Sequence, residues 1–337
     1  MYHAHFSLRD EPFGVSPDGR FFLETEQHRE ALATLYYGIS QRRGFTLLIG
    51  QAGLGKTSVL VQLLQRLEGE AETAYLPHPF FDSSNVLESI LTSLGLDTTP
   101  SLAQNHRLFY EFLMKTHRTG KTCVVVIDEA QNLNRDTLEA IRMLSNFETP
   151  TEKLVQFVMS GQPPLADLLR QPDCEQIRQR VNVIARLKPL DGPGVRQYMD
   201  HRLTVAGASI DLFDEAALQA IATGSAGVPR NINTICFNSL TLAYALNRRQ
   251  VGREAVAEAL RDLDLTFADT PPRQPGNSGA DDRFLPSATV AEIPPPFLGS
   301  SFPAARRSFR PAIIAASLLL LLVAGSFCFH HFFLKAG

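Results

Sequence analysis

The chain has 337 residues, 44% hydrophobic and 20% charged, with 32 Lys and Arg against 35 Asp and Glu for a net charge of −3. That length allows about two domains with sizeable cores, and the composition excludes a wholly disordered chain. The near-neutral balance argues against a dedicated nucleic-acid binder, and Cys123, Cys174, Cys236 and Cys328 are too sparse and too widely spaced for a disulfide or zinc framework, so they read as reduced thiols.

In chain order, the first twenty residues carry Arg9, Asp10, Glu11 and Asp18 and no apolar run of signal-peptide length, so the N-terminus is expected to stay in the cytosol. Residues 45–49, Phe-Thr-Leu-Leu-Ile, predict a buried strand. They lead into Gly50-Gln51-Ala52-Gly53-Leu54-Gly55-Lys56-Thr57 and then into the helix-compatible run that starts at Ser58. Strand, G-x-x-x-x-G-K-T loop and helix are the setting a phosphate-binding P-loop requires. The loop N–H groups and the helix N-terminus face phosphate oxygens. Lys56 is expected on the β- and γ-phosphates and Thr57 on Mg²⁺.

Residues 123–127 form a continuous apolar run ending in Asp128-Glu129, as a strand buried on both faces should. Carboxylates at the carboxyl end of such a strand lie where open α/β sheets bind ligands. Asp128 is expected to hold Mg²⁺ through a water and Glu129 to polarise the attacking water; the alternative is a helix cap for the segment 132–145. A third strand over 154–159 ends at Ser160-Gly161-Gln162-Pro163. There Gln162, ahead of Ser160, is placed to sense the γ-phosphate, with a simple turn as the alternative. Arg178, Arg180 and Arg186 flank a helix end and a strand, and Arg230 stands in Gly227-Val228-Pro229-Arg230; each neutralises developing phosphoryl charge or is a solvated surface residue. Apolar faces over 213–223 and 232–247 read as helices packed in a core.

Between 267 and 310 the composition shifts to Pro, Gly, Ser and Asp, predicting a stiff, disordered tether. Residues 312–329 are uncharged, and as a helix they measure about 27 Å, close to a bilayer core. Arg306, Arg307 and Arg310 precede this run and only Lys335 follows it, so it is expected to be one membrane anchor with the N-terminal part in the cytoplasm.

The ordered set of P-loop, acidic pair, polar strand end, arginine cluster and Gly-x-Pro-Arg resembles the AAA+ ATPases. Within them the chain is similar to the general secretion pathway A-type (ExeA-like) ATPases through Tyr2, Phe6, Leu8, Pro12-Phe13, Ser16-Pro17-Asp18, Phe21-Phe22-Leu23, His28-Arg29-Glu30-Ala31-Leu32, Ile127-Asp128-Glu129-Ala130-Gln131-Asn132-Leu133 and Ser160-Gly161-Gln162-Pro163. The resemblance covers roughly residues 1–264. It implies an α/β three-layer P-loop core over 1–190, a helical lid over 191–265, the linker over 266–310, a transmembrane helix over 311–329 and a short outer tail over 330–337. It implies ATP and Mg²⁺ as cofactors, Pro12 and Phe13 beside the adenine pocket, Arg230 as a lid arginine that senses nucleotide, and Arg180, then Arg178, as the finger reaching a neighbouring copy's ATP.

The implied activity is ATP hydrolysis by a homo-oligomer at the inner membrane. Its cycle assembles or gates an envelope machine such as type II secretion with its secretin, a pilus or polysaccharide export. Longer members carry a peptidoglycan-binding domain after the membrane helix, whereas this chain stops eight residues beyond Phe329, which speaks against direct cell-wall binding. Two other readings use the same residues: a DNA-associated AAA+ regulator or transposition helper, and a nucleotide-gated scaffold with little turnover.

Overall fold

Five parallel strands form one sheet in the order β2-β3-β4-β1-β5: β1 Phe45–Ile49, β2 Ala71–Leu76, β3 Thr122–Ile127, β4 Val155–Gly161 and β5 Val181–Arg186. The computed structural model describes residues 2–14, 18–78, 82–208 and 210–267. The expected tether from residue 268 onward, the membrane helix, the outer tail and Cys328 lie outside them. Among the described residues no helix is long and apolar enough to cross a membrane, and Cys123, Cys174 and Cys236 are free and buried.

Burial along each strand follows its place in the sheet. The inner strands β1 and β4 are buried at every position, and β3 at all but its first. The edge strands β2 and β5 leave several side chains partly exposed. Continuous apolar runs therefore mark the middle strands, and mixed runs such as Ala-Glu-Thr-Ala-Tyr-Leu mark an edge. Alternate side chains serve the two faces. Phe45, Leu47, Val125, Ile127, Phe157 and Met159 pack against Ile90, Phe109, Leu113, Ile141 and Leu165. On the other face Leu48, Val124, Val126, Val158 and Ala185 pack against Leu35, Val59, Leu60 and Leu63.

The helices up to the fifth strand are, in chain order, α1 Tyr2–His5, α2 Glu26–Ser40, α3 Lys56–Arg66, α4 Val86–Ser93, α5 Leu102–Arg118, α6 Arg135–Leu144, α7 Pro163–Arg170 and α8 Glu175–Arg178, and α2 to α7 supply these side chains. With α2 and α3 on one face and α4 to α7 on the other, the core has three layers. Full burial of a Leu stabilises by about 1.5–3 kcal/mol. Leu60 and Leu63, both fully buried, therefore anchor α3 firmly under its glycine-rich start.

Four more helices, α9 Gly192–Val205, α10 Glu215–Gly224, α11 Pro229–Ala245 and α12 Arg253–Phe267, make a helical subdomain around a separate core. Its sequence signals are capping residues and prolines at the right ends: Asp191 and Asp214 accept from backbone N–H groups of α9 and α10, and Pro229 opens α11. The N-terminal segment belongs to this core. Phe6, Leu8, Phe13 and Phe21 pack with Met199, Leu203, Phe213, Ile235 and Val256, and the buried Arg202 donates from Nε to the Pro12 carbonyl and from Nη1 to Tyr198 Oη at 2.8 Å. A division that assigns all of 1–190 to the sheet domain is corrected in this respect. Phe6, Leu8, Phe13 and Phe21, with Tyr2 and Leu23 packed against them, form part of the helical core, because their apolar side chains find a matching cluster there.

Candidate nucleotide site

The strand order reverses around β4 and β1, so consecutive crossovers leave the sheet in opposite directions. At such a switch point the loops after neighbouring strands splay apart and leave a crevice at the carboxyl ends. Ile49 is level with Gly161, and Ile127 with Met159. This register places the loop after β1, the acidic pair after β3 and the Gly161-Gln162 step after β4 side by side.

The loop after β1 has the backbone its sequence requires. Gly53 has φ 79° and Gly55, which caps α3, has φ 90°, a region costly for residues with a Cβ. A Cβ on Gly53 would also lie 2.6 Å from Arg230 Cβ. The loop thus wraps tightly enough to turn Gly50, Gln51, Ala52, Gly53, Leu54 and Gly55 around the N-terminus of α3, where Lys56, Thr57 and Ser58 begin the helix. Lys56 is buried, and its Nζ donates to the carbonyls of Gly50 at 3.0 Å and Gln51 at 3.1 Å. Burial lowers the Lys56 pKa from its ordinary range, opposed by the charges of Glu129 and Asp128, while Arg230 adds to the lowering.

Opposite the loop, Thr57 Oγ1 donates to Asp128 Oδ2 at 2.7 Å. Asp128 is 2% exposed, and its Oδ1 accepts from the Glu129 N–H at 2.9 Å. A hydroxyl and a carboxylate oxygen at this spacing are hard donors of the kind Mg²⁺ takes beside nucleotide phosphates, so the two residues fit that ion. Tyr75 is pushed up to about 12 by burial and by the nearby Asp128 and Glu129 charges.

The helix-cap alternative for the acidic pair is corrected. Asn134 caps α6, accepting from Thr137 N. Glu129 instead stands at a left-handed φ of 51° before a single turn, residues 130–132. Its Oε2 accepts from Gln131 Nε2 at 2.6 Å, and Gln131 Oε1 accepts from the Gln162 N–H at 2.9 Å. The Gln162 side chain makes no capping bond to α7. Ser160 Oγ is fully buried and has no hydrogen-bond partner among the described residues.

The other expected residues divide. Arg230 comes to the loop: its N–H donates to the Gly53 carbonyl at 3.3 Å, and its side chain is exposed. Phe13 does not, because its ring is buried edge-to-face on Phe213 at 5.9 Å, and Pro12 is buried beside it. The side chain that does border the loop from this side is His28, at the start of α2. His28 Nε2 lies 3.4 Å from the Leu54 carbonyl, its Nδ1 lies 2.8 Å from Thr25 Oγ1, and Phe22 packs on its ring at 5.2 Å. Burial lowers the His28 pKa. The Thr25-x-x-His28 spacing of a capping box was the available signal, because it fixes the His28 ring at the start of α2.

Arg178 and Arg180 precede β5, whose first residue is level with Phe45 at the start of β1. They stand about 17 Å along the strand direction from the loop. Arg186 is level with Ile49 at the loop end. Arg180 Nη1 is held by Ser145 Oγ at 2.6 Å, Asn146 Oδ1 at 2.7 Å and the Arg142 carbonyl at 3.2 Å, where it caps the end of α6. Arg178 pairs with Glu175 at 3.6 Å.

A family described as an AAA domain matches residues 39–169. Over 253 residues the chain is 39% identical to General secretion pathway protein A of Aeromonas hydrophila, covering 74% of this chain and 46% of that protein. The chain thus spans less than half the length of this relative. Solved structures with the same fold include Cdc6p from Pyrobaculum aerophilum, at TM-score 0.60 and 18% identity over 76% of this chain and 71% of that one. They also include the Aeropyrum pernix ORC2 protein in ADPNP–ADP complexes, at TM-score 0.57 and 13% identity over 75% and 71%. By these comparisons the chain carries an AAA domain over residues 39–169 and, over the compared stretch, is similar to the general secretion pathway A proteins.

Proposed function

We propose that the chain binds Mg-ATP in the crevice after β1, β3 and β4 and hydrolyses it. The observation that carries this reading is the Thr57–Asp128 hydrogen bond at 2.7 Å, with Lys56 on the adjoining loop and Glu129 next along the chain. Lys56 and the loop N–H groups neutralise phosphate charge. Bound Mg²⁺, held by Thr57 and through a water by Asp128, supplies further charge stabilisation on the phosphates. Glu129 accepts a proton from the attacking water, and Arg230 senses the nucleotide from the helical lid.

We further infer a homo-oligomer in which an arginine from one copy completes the site of the next. Arg178 and Arg180 stand at the opposite end of the sheet from their own loop, which suits service to a neighbour. Arg180 is already engaged by three acceptors, so Arg178 takes the finger role ahead of it. Specific ATP turnover is expected to rise with protein concentration. Arg178→Ala should lower it by about 10³-fold or more without loss of fold, whereas Arg180→Ala chiefly lowers the melting temperature. Equal turnover of wild type and Arg178→Ala at all concentrations removes the finger assignment.

The relative's printed role supports service to an envelope secretion machine, and the uncharged run over 312–329 supports an inner-membrane anchor with the ATPase in the cytoplasm. Alkaline extraction is expected to leave the full chain in the membrane pellet and to release a variant lacking 311–329. Release of both sinks the anchor.

A further inference from the structure

The backbone of Glu129 is left-handed and held, its N–H donating to Asp128 Oδ1 and its carbonyl accepting from the Asn132 N–H, but these bonds leave the place of the carboxylate to side-chain contacts. A carboxylate that must meet a water in line with a phosphate needs a fixed place, since a displacement of about 1 Å from productive geometry can cost about 10²-fold in rate. The side chain that supplies the restraint is Gln131. Its amide donates to Glu129 Oε2 at 2.6 Å through one atom and accepts the backbone N–H of Gln162 at 2.9 Å through the other. One primary amide therefore joins the carboxylate after β3 to the segment that follows β4.

The neighbouring strand end is shaped for this contact. A Cβ on Gly161 would lie 2.8 Å from Gln131 Oε1, so the absence of a side chain there lets the amide reach the Gln162 N–H. Gln131 is half-buried, and its two bonds use the donor and acceptor ends of the amide in the only sense that fits. An ionised Glu129 can only accept, and a backbone N–H can only donate. A carboxylate or an aliphatic side chain at position 131 cannot make both bonds.

We propose that Gln131 is a positioning residue: it fixes the Glu129 carboxylate and ties its position to the Gln162 segment, so that the base is placed by the ends of both β3 and β4. This rests on the reading of Glu129 as the base. A shift of the Gln162 segment by nucleotide then moves Glu129 through a single side chain.

The test compares Mg-ATP binding, turnover and the pH dependence of kcat in the full chain for wild type, Gln131→Ala, Gln131→Glu and Glu129→Gln. Gln131→Ala is expected to lose about tenfold to a hundredfold in kcat with the Kd for ATP held within about twofold. Gln131→Glu keeps an acceptor for the Gln162 N–H but sets a second carboxylate against Glu129. Like charges at this range raise the pair's apparent pKa, so the acid limb of its kcat profile moves to higher pH, a readout that a packing defect would leave in place. Wild-type kcat and an unmoved acid limb in both Gln131 variants, with Glu129→Gln inactive, overturn the positioning role alone. Wild-type turnover by Glu129→Gln overturns it together with the assignment of Glu129 as base.

Discussion

Glu129→Gln is expected to bind Mg-ATP as tightly as the wild type, or a few-fold more tightly, while turning it over about 10²–10⁴-fold more slowly. Two features separate binding from turnover here. The change preserves side-chain shape and keeps a carbonyl oxygen that can accept from Gln131 Nε2, so the turn after β3 keeps its support. It also removes one negative charge from the neighbourhood of Lys56, where the Glu129 charge is sensed, which lowers the repulsion a triphosphate meets. The amide cannot take a proton from water, so only the chemical step suffers. Isotope-labelled ATP trapped on the variant after rapid separation, with phosphate release measured in parallel, checks both halves. A variant that releases phosphate at the wild-type rate contradicts the assignment.

The second large effect lies in the lid. Gly227 has φ +72°, and a Cβ there would stand 2.0 Å from the Leu190 carbonyl oxygen. That neighbour is backbone and cannot step aside, because Leu190 N–H is bonded to the Gly227 carbonyl at 2.8 Å. Ala226 beside it is already left-handed at φ 50°, so the turn has no slack. Gly227→Ala is expected to cost about 2–5 kcal/mol, the sum of a left-handed penalty and an overpacking penalty. The damage spreads to the nucleotide site, since α11 begins at the next residue but one and Arg230 N–H reaches the Gly53 carbonyl. Urea unfolding reads the first effect and ATP affinity the second. An unchanged urea midpoint would falsify the geometry of this turn.

Much of the site was legible because its chemistry is local in sequence. The loop 50–57, the acidic pair and the strands before them carry their own signals: glycine spacing, continuous apolar runs, and carboxylates where a buried strand ends. β2 was less visible because an edge strand mixes Glu72, Thr73 and Tyr75 with its apolar residues, which blurs periodicity. Gln131 and His28 were quoted in the family motifs but given no role. Each acts through contacts set by the register of distant segments, Gln131 to Gln162 and His28 to Leu54. The burial of Phe13 was hidden for a related reason: a sequence shows that Phe13 is apolar but not which of two cores buries it. The acceptors that hold Arg180 were hidden on the same ground, because they come from the end of α6, more than thirty residues earlier in the chain.

The central claim is that the crevice after β1, β3 and β4 hydrolyses ATP with Mg²⁺. Phosphate release from ATP by the full chain, followed at rising protein concentration with Mg²⁺ and again with the ion chelated, tests it most directly. The account predicts steady release that depends on Mg²⁺ and whose specific rate climbs with concentration. Release at the uncatalysed rate under every condition, in a chain that is folded and binds no nucleotide, contradicts it.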